Sequence, residues 1–514
     1  MEPNIKFRQQ PTRVVRRFIA SHKSPIIILL LSALVGIGAG LLSTLFDICI
    51  DWIADFRREM LSQQTGVISD VTIGVAVLVS SALLSMFGFW LVHRFAPEAS
   101  GSGIPEIEGA LDNMRPVRWW RVIPVKFFGG IGTISAGLVL GREGPSVQMG
   151  GAVGRMFYDI FRLKDDEGRH TLVASGAAGG LAAAFNAPLA GIMFVIEEMR
   201  PQFRYNLVSV KAVMISAVMA TIVYRSLQGQ EAMISLPTYD APPLLSLVLF
   251  LLLGLVFGAF GVLFNYLVVS IMDSFERWHK HEQRRFLILG ASLGAFFGLM
   301  LLLVPDITGE GVELIPAAAH GNYALGALMA LFAIRLVTTL MCFSSGAPGG
   351  VFAPMLALGT LLGTLFGLLC QHWFPSLALE AGMFAIAGMG ALFAATVRAP
   401  ITGILLVIEL TENYDLILPL IITCLGATMM AQFLGGQPIY SQLLKRTLAK
   451  QAAQTEATNL DDTNIDAARA DTNIPADNTS DIDNSATTTD KSDAIATVAG
   501  GDKPESNKDS VSNN

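Results

Sequence analysis

The sequence predicts an all-α, polytopic membrane protein made of two related halves. Three observations carry that prediction. Of its 514 residues, 52% are hydrophobic and only 15% are charged, where soluble domains carry about 25% charged residues. Runs without Asp, Glu, Lys or Arg recur along the chain at about the length of a spanning helix, roughly 20 residues. Finally, two blocks of the first half match two blocks of the second half in the same order.

The N-terminal segment, 1–24, is basic. Lys6, Arg8, Arg13, Arg16, Arg17 and Lys23 stand against one acid, Glu2. Basic flanks stay in the cytoplasm, so the N-terminus reads as cytoplasmic. A signal peptide has a shorter apolar core and a small-residue cleavage site, so the apolar run that follows reads as a retained first helix. Residues 24–46, 71–92 and 286–305 are uncharged and of spanning length, and 241–272 is long enough for one tilted helix or a broken pair. Residues 336–379 are also uncharged, enough for two spans, with a Gly/Pro cluster inside them. The last span is expected to end near Leu444, and Lys445, Arg446 and Lys450 follow it. This places the C-terminus in the cytoplasm too, with an even number of crossings between. The membrane region is expected over 25–445, its halves at about 25–225 and 240–445.

Beyond it, residues 451–514 carry thirteen acids against four bases, have no apolar period, and read as a disordered acidic tail. Cys49, Cys342, Cys370 and Cys424 lie in or beside apolar runs without paired spacing, so they read as packing residues. The seven histidines are scattered. No metal, cofactor or nucleic-acid partner is expected.

The internal match is gapless within each block. Residues 176–198 lie on 388–410, so that Pro188 meets Pro400, Gly191 meets Gly403 and Glu197 meets Glu409. Residues 141–154 lie on 350–363, where Gly141, Pro145, Gly150 and Gly154 meet Gly350, Pro354, Gly359 and Gly363. Such repeats are common in transporters, parallel or inverted, with the substrate site at the repeat interface.

Both halves break apolar sequence with Gly and Pro. Irregular backbone at membrane depth is tolerated where protein buries it or where it lines a cavity. A Pro just inside a helix start leaves first-turn N–H groups free to face a ligand, and each helix N-terminus carries roughly half a positive charge. Two such ends converging from opposite halves make an anion site without a full cation. A third cluster, Gly101, Ser102, Gly103, Ile104 and Pro105, has the same chemistry, although an ordinary helix start with first-turn acids Glu106 and Glu108 also fits it.

The repeat breaks where ionisable groups stand. Glu143 falls opposite Phe352, and Glu198 opposite Leu410. An intramembrane carboxylate is costly and points to an ion or proton route. The plain alternative for Glu143 is an ion pair with Arg142. The shared acids Glu197 and Glu409 read as structural helix-end residues.

Three motifs in this order, Gly101–Pro105, then Gly141, Arg142, Glu143, Gly144 and Pro145, then Gly350, Val351, Phe352, Ala353 and Pro354, with a late Tyr440, resemble the CLC family of chloride channels and chloride/proton antiporters. The resemblance covers roughly 25–445. It implies two inverted repeats of tilted and broken helices, and a homodimer with one pore per subunit in a bacterial inner membrane. It also implies a chloride held by the Ser102 and Tyr440 hydroxyls and the N–H groups of Val351 and Phe352. Glu143 would gate the outer anion position and carry the proton, and Glu198 would exchange the proton on the cytoplasmic side. A passive voltage- or pH-gated chloride channel of the same fold is the alternative. A rival from another class, an intramembrane hydrolase, rests on Gly290-Ala-Ser-Leu-Gly294, which matches Gly-x-Ser-x-Gly.

Overall fold

The computed structural model describes residues 12–62, 67–199, 205–280, 282–377 and 379–453, with backbone alone for 12–24, 60–62 and 67–70. Residues 1–11 of the basic segment and the acidic tail beyond 453 lie outside the described residues. The described chain is helical, and eight of its helices are long and apolar enough to cross a membrane.

The long helices come from the uncharged runs. α1 (Thr12–Ser62) extends the expected first span at both ends, and its apolar part runs Pro25–Glu59. α2 (Val67–Phe95) follows it. A short α3 (Ile104–Leu111) and α4 (Trp119–Ser135) lead to α5 (Glu143–Ile160) and α6 (Asp166–Phe185). α7 (Pro188–Glu197) and α8 (Leu207–Gln228) complete the first half.

The second half opens with α9 (Leu247–His279), one continuous helix rather than a broken pair, and α10 (Gln283–Leu303). α11 (Leu314–Ala319), α12 (Leu325–Ser344) and α13 (Phe352–Trp373) follow, then α14 (Ala381–Val397), α15 (Pro400–Thr411) and α16 (Ile417–Phe433). The last span ends at Phe433, not near Leu444. Gly435-Gly436-Gln437-Pro438 turns the chain, and a separate helix α17 over 439–453 begins beside Tyr440.

The repeat is written into the backbone. α5 and α13 start at the aligned residues Glu143 and Phe352, and α7 and α15 at the aligned Pro188 and Pro400. α6 and α14 end on the aligned residues Asn186 and Arg398, both left-handed at φ +52° and +71°. Gly150 packs on the Gly176 carbonyl where α5 meets α6, and Gly359 packs on the Gly388 carbonyl where α13 meets α14. Even a single added Cβ would collide there, because the helix backbones touch.

Two contacts show how the halves are related. Gly141 and Gly350, aligned residues, pair with each other: Gly141 N–H donates to Gly350 O at 2.9 Å and Gly350 N–H to Gly141 O at 2.6 Å. Glu197, ending α7, accepts the N–H groups of Ile401 and Thr402 at the start of α15, at 3.1 and 2.7 Å. In return Glu409, near the end of α15, accepts the N–H groups of Leu189 and Ala190 at the start of α7, at 3.0 and 2.8 Å. Aligned helices that cap each other in this way run antiparallel. The two halves are inverted repeats, and the axis relating them passes between Gly141 and Gly350. The shared acids are the structural helix-end residues that their symmetry implied.

Candidate ion site

Three helix starts meet at that axis because three loops are laced together. Ser100 donates its N–H to Pro97 O at 3.1 Å and its hydroxyl across to Gly346 O at 2.9 Å. Gly101 N–H reaches Gly346 O at 3.4 Å, and Gly349 N–H returns to Gly101 O at 3.1 Å. Thr133 on α4 donates its hydroxyl to Pro348 O at 2.9 Å. Lys126, fully buried in α4, donates to the carbonyls of Ala99 and Gly101 at 3.0 and 2.5 Å. An ammonium that satisfies these carbonyls fixes the 99–101 backbone just before Ser102.

Ser102 is buried, and its hydroxyl oxygen accepts the Ile104 N–H at 3.4 Å. Gly103 makes this turn at φ +85°, a conformation that favours glycine. Gly144, in the first turn of α5, lies so close that a Cβ there would be 2.8 Å from both the carbonyl and the hydroxyl oxygen of Ser102. Pro105, Pro145 and Pro354 stand in the first turns of α3, α5 and α13, all buried. Among the described residues no acceptor takes the N–H groups of Val351 and Phe352. The Tyr440 side chain is fully buried with its hydroxyl lacking a hydrogen-bond partner, and its ring centroid is 5.9 Å from that of Phe352. Phe194 and Phe393 present edge-on rings to Phe352 at 5.6 and 4.7 Å. The buried hydroxyls of Ser102 and Tyr440 and the free N–H groups of Val351 and Phe352 thus lie close together at these helix starts.

Glu143 sits at the first position of α5, fully buried. Its Oε1 accepts the Ala353 N–H of α13 at 2.8 Å, while its Oε2 has no hydrogen-bond partner. The carboxylate of one half therefore lies on the helix N-terminus of the other, where partial positive charge favours an anion. It does not form its ion pair with Arg142. That guanidinium turns instead to Glu310 at 3.1 Å, Asp47 at 3.6 Å and Asp51 at 3.7 Å.

Glu198 caps the end of α7, buried, with Oε1 unpartnered. The charged group that acts on it most strongly is Glu108 of α3, also buried, with both carboxylate oxygens unpartnered. Glu106 turns away from the site into a two-point pair with Arg115, at 2.6 and 2.8 Å. Tyr440 lies within electrostatic reach of Glu143, Glu198 and Glu108. The structure thus gathers Ser102, Glu143, Val351, Phe352 and Tyr440 in one place.

Sequence reasoning missed Lys126, Glu310 and the influence of Glu108 on Glu198. Lys126 had a signal, being the lone charge in the apolar run 122–141. Glu310 had none, since only folding brings it to Arg142. The hydrolase motif dissolves into packing: Ser292 lies mid-α10 and donates its hydroxyl back to Leu289 O at 3.0 Å, and Gly290 and Gly294 abut Phe89 and Ser81 of α2.

The family profile described as voltage gated chloride channel matches residues 83–432. The H(+)/Cl(-) exchange transporter ClcA of Vibrio cholerae serotype O1 (strain M66-2) is 62% identical over 448 residues, 87% of this chain and 95% of that relative. The protein of the same name from Yersinia pseudotuberculosis serotype IB (strain PB1/+) is 58% identical over 439 residues, 85% of this chain and 91% of that one. Among solved structures, a slow cyanobacterial Cl-/H+ antiporter superposes with a TM-score of 0.77 at 40% identity, covering 83% of this chain and 99% of that one.

Proposed function

The chain belongs to the voltage-gated chloride channel family, and on that premise we propose that it is an antiporter exchanging chloride for protons across the membrane. The observation that carries this reading is the Glu143 carboxylate lying on the Ala353 N–H of α13. A buried helix N-terminus suits chloride, and here a tethered anion holds part of it.

The mechanism follows from that competition. Ionised Glu143 occupies the α13 terminus and excludes chloride. A proton removes its charge, loosens the charge-assisted hydrogen bond, and leaves the N–H groups to the ion. A second chloride position is formed by the Ser102 and Tyr440 hydroxyls with the N–H groups of Val351 and Phe352. Partial charges hold the ion without trapping it, as conduction and turnover require.

Sidedness follows from α1. Its basic start is placed in the cytoplasm, and Asp47 lies 22 residues beyond Pro25, about 33 Å along a helix rising 1.5 Å per residue. That exceeds the hydrocarbon thickness of about 30 Å, so the Asp47–Arg142–Glu143 region faces outward. α2 runs back, and Glu108 on α3 follows it on the inner side with Glu198. Glu198 then exchanges its proton with the cytoplasm and Glu143 with the exterior. Chloride moving in and protons moving out transfer charge in the same sense, so exchange is electrogenic, and 100 mV biases it by about 2.3 kcal/mol per charge.

The protein acts as a homodimer with one pore per subunit in a bacterial inner membrane, both termini cytoplasmic. The family resemblance supports these assignments, as it does the residue roles above. The test is Glu198→Gln in proteoliposomes. Retained chloride flux with lost proton movement supports the assignment. Unchanged proton coupling removes Glu198 from the pathway, and a reversal potential blind to the pH gradient in the wild type replaces the antiporter with a passive channel.

A further inference from the structure

Arg142 precedes Glu143 and could have paired with it, yet three carboxylates hold it elsewhere. Its side chain is largely buried, Asp47 is buried with neither oxygen hydrogen-bonded, and Glu310 is largely buried with Oε1 unpartnered. Asp51 is half exposed at the rim. One guanidinium thus serves Asp47, Asp51 and Glu310, and the carboxyl of Glu143 feels the charge of both Glu310 and Arg142.

Glu310 is not on a loose loop. Arg335, fully buried in α12, donates to the carbonyls of Asp306, Thr308 and Gly309 at 3.1, 2.8 and 3.2 Å. Gly309 N–H donates to Gly137 O at 3.0 Å, tying the loop to the segment that leads into Gly141. A carboxylate held this firmly against the neighbour of Glu143 is built into the site. The other ionisable groups around it are Tyr224 of α8, which feels Asp47 and Arg142, and Glu313 of its own loop, which pairs with Arg58 of α1 at 3.4 Å.

We propose that Glu310, acting through Arg142, is a positioning residue that sets the pH at which Glu143 exchanges its proton. The inference rests on the antiporter reading above. With Glu310 ionised, Arg142 is drawn away and neutralised, and the local negative potential favours the protonated, open form of Glu143. With Glu310 neutral, the charge of Arg142 is less compensated and stabilises ionised Glu143 on the α13 terminus. Both effects have one sign: neutralising Glu310 makes more acid necessary to open the site. In such a coupled cluster the proton on one group depends on the charge of the others.

The experiment measures chloride turnover against pH, equal on both sides of proteoliposomes. Glu310→Gln is expected to move the half-maximal pH downward by about one unit, the size of shift that a close charge produces. Glu310→Asp, which keeps the charge, restores the wild-type midpoint. A merely structural role would lower the rate while leaving the midpoint in place, and that result overturns the inference. Should Glu310→Gln fail to fold, Asp51→Asn at the rim decides, by an acid shift in the same sense or an unmoved midpoint that overturns the inference. Glu143→Gln in the same assay separates the two levels. If proton flux recorded alongside stays coupled to chloride in this variant, Glu143 is not the proton carrier and the reading of the site on which the inference rests fails; if coupling is abolished while Glu310→Gln leaves the midpoint unmoved, only the role of Glu310 fails.

Discussion

Truncating Glu143 to alanine removes a buried carboxylate whose Oε1 accepts the Ala353 N–H at 2.8 Å. Hydrogen bonds to a charged group contribute about 1.5–3 kcal/mol, and in the proposed mechanism that energy holds Glu143 in the place of an ion. Chloride in the wild type must displace it. Without the tether, chloride meets the α13 terminus directly and recovers much of the same energy. At 1.4 kcal/mol per tenfold, apparent chloride affinity should rise roughly 10- to 100-fold. Calorimetric titration of purified wild type and Glu143→Ala with chloride measures it. The wild type should also bind chloride more tightly as pH falls, because protons neutralise the competitor, and the variant should lose that pH dependence. An affinity that stays within twofold of the wild type, or a pH dependence that survives in the alanine variant, refutes the argument that Glu143 is a tethered competitor.

Other consequences follow from the same geometry. Tyr440→Phe removes a buried hydroxyl that has no hydrogen-bond partner; chloride affinity should fall by about 1 kcal/mol, the net worth of one hydrogen bond, with little change in thermal stability, and calorimetry with thermal unfolding reads both. Glu197→Gln and Glu409→Gln break reciprocal caps of the same form. Each should destabilise the protein by about 0.5–2 kcal/mol, Glu197→Gln the more because Glu197 also accepts the Thr402 hydroxyl at 2.9 Å, as seen by unfolding in detergent. Ser292→Ala removes a hydroxyl that bonds only within its own helix turn, so chloride flux should be unchanged.

The sequence foretold the elements that depend on composition and on local backbone chemistry. Uncharged runs became the long helices, and the Gly/Pro clusters at 141–145 and 346–350 became the breaks at which α5 and α13 begin. The aligned repeat carried further, since Gly141 and Gly350 turned out to bond to each other. It also isolated Glu143, because a carboxylate opposite a phenylalanine stands out without any coordinates. What stayed hidden depends on contacts between distant segments. Glu310 lies 168 positions from Arg142 and shares no period with it, so nothing local marks it as the group that claims that guanidinium. Glu108 looked like a first-turn acid of α3, and only the fold lets its charge act on Glu198. The internal repeat alone left the sense of the halves open, because either arrangement leaves both ends of the chain on one side; the inverted arrangement came from the family resemblance, and the reciprocal caps bear it out. The late tyrosine was found, but not its setting: Leu434 to Leu444 carried the apolar run onward, while Gly435 and Pro438 broke it and gave Tyr440 a helix of its own.

Coupling between the two ions is the central claim, and its most direct test is proton movement driven only by a chloride gradient. Proteoliposomes holding the purified wild-type protein, with equal pH on both sides, are given an outward or inward chloride gradient while internal pH is followed. The account predicts protons moving uphill against the opposing pH difference, in the direction opposite to chloride, and predicts that Glu143→Ala still passes chloride while moving no protons. Chloride flux in the wild type with no proton movement would contradict it.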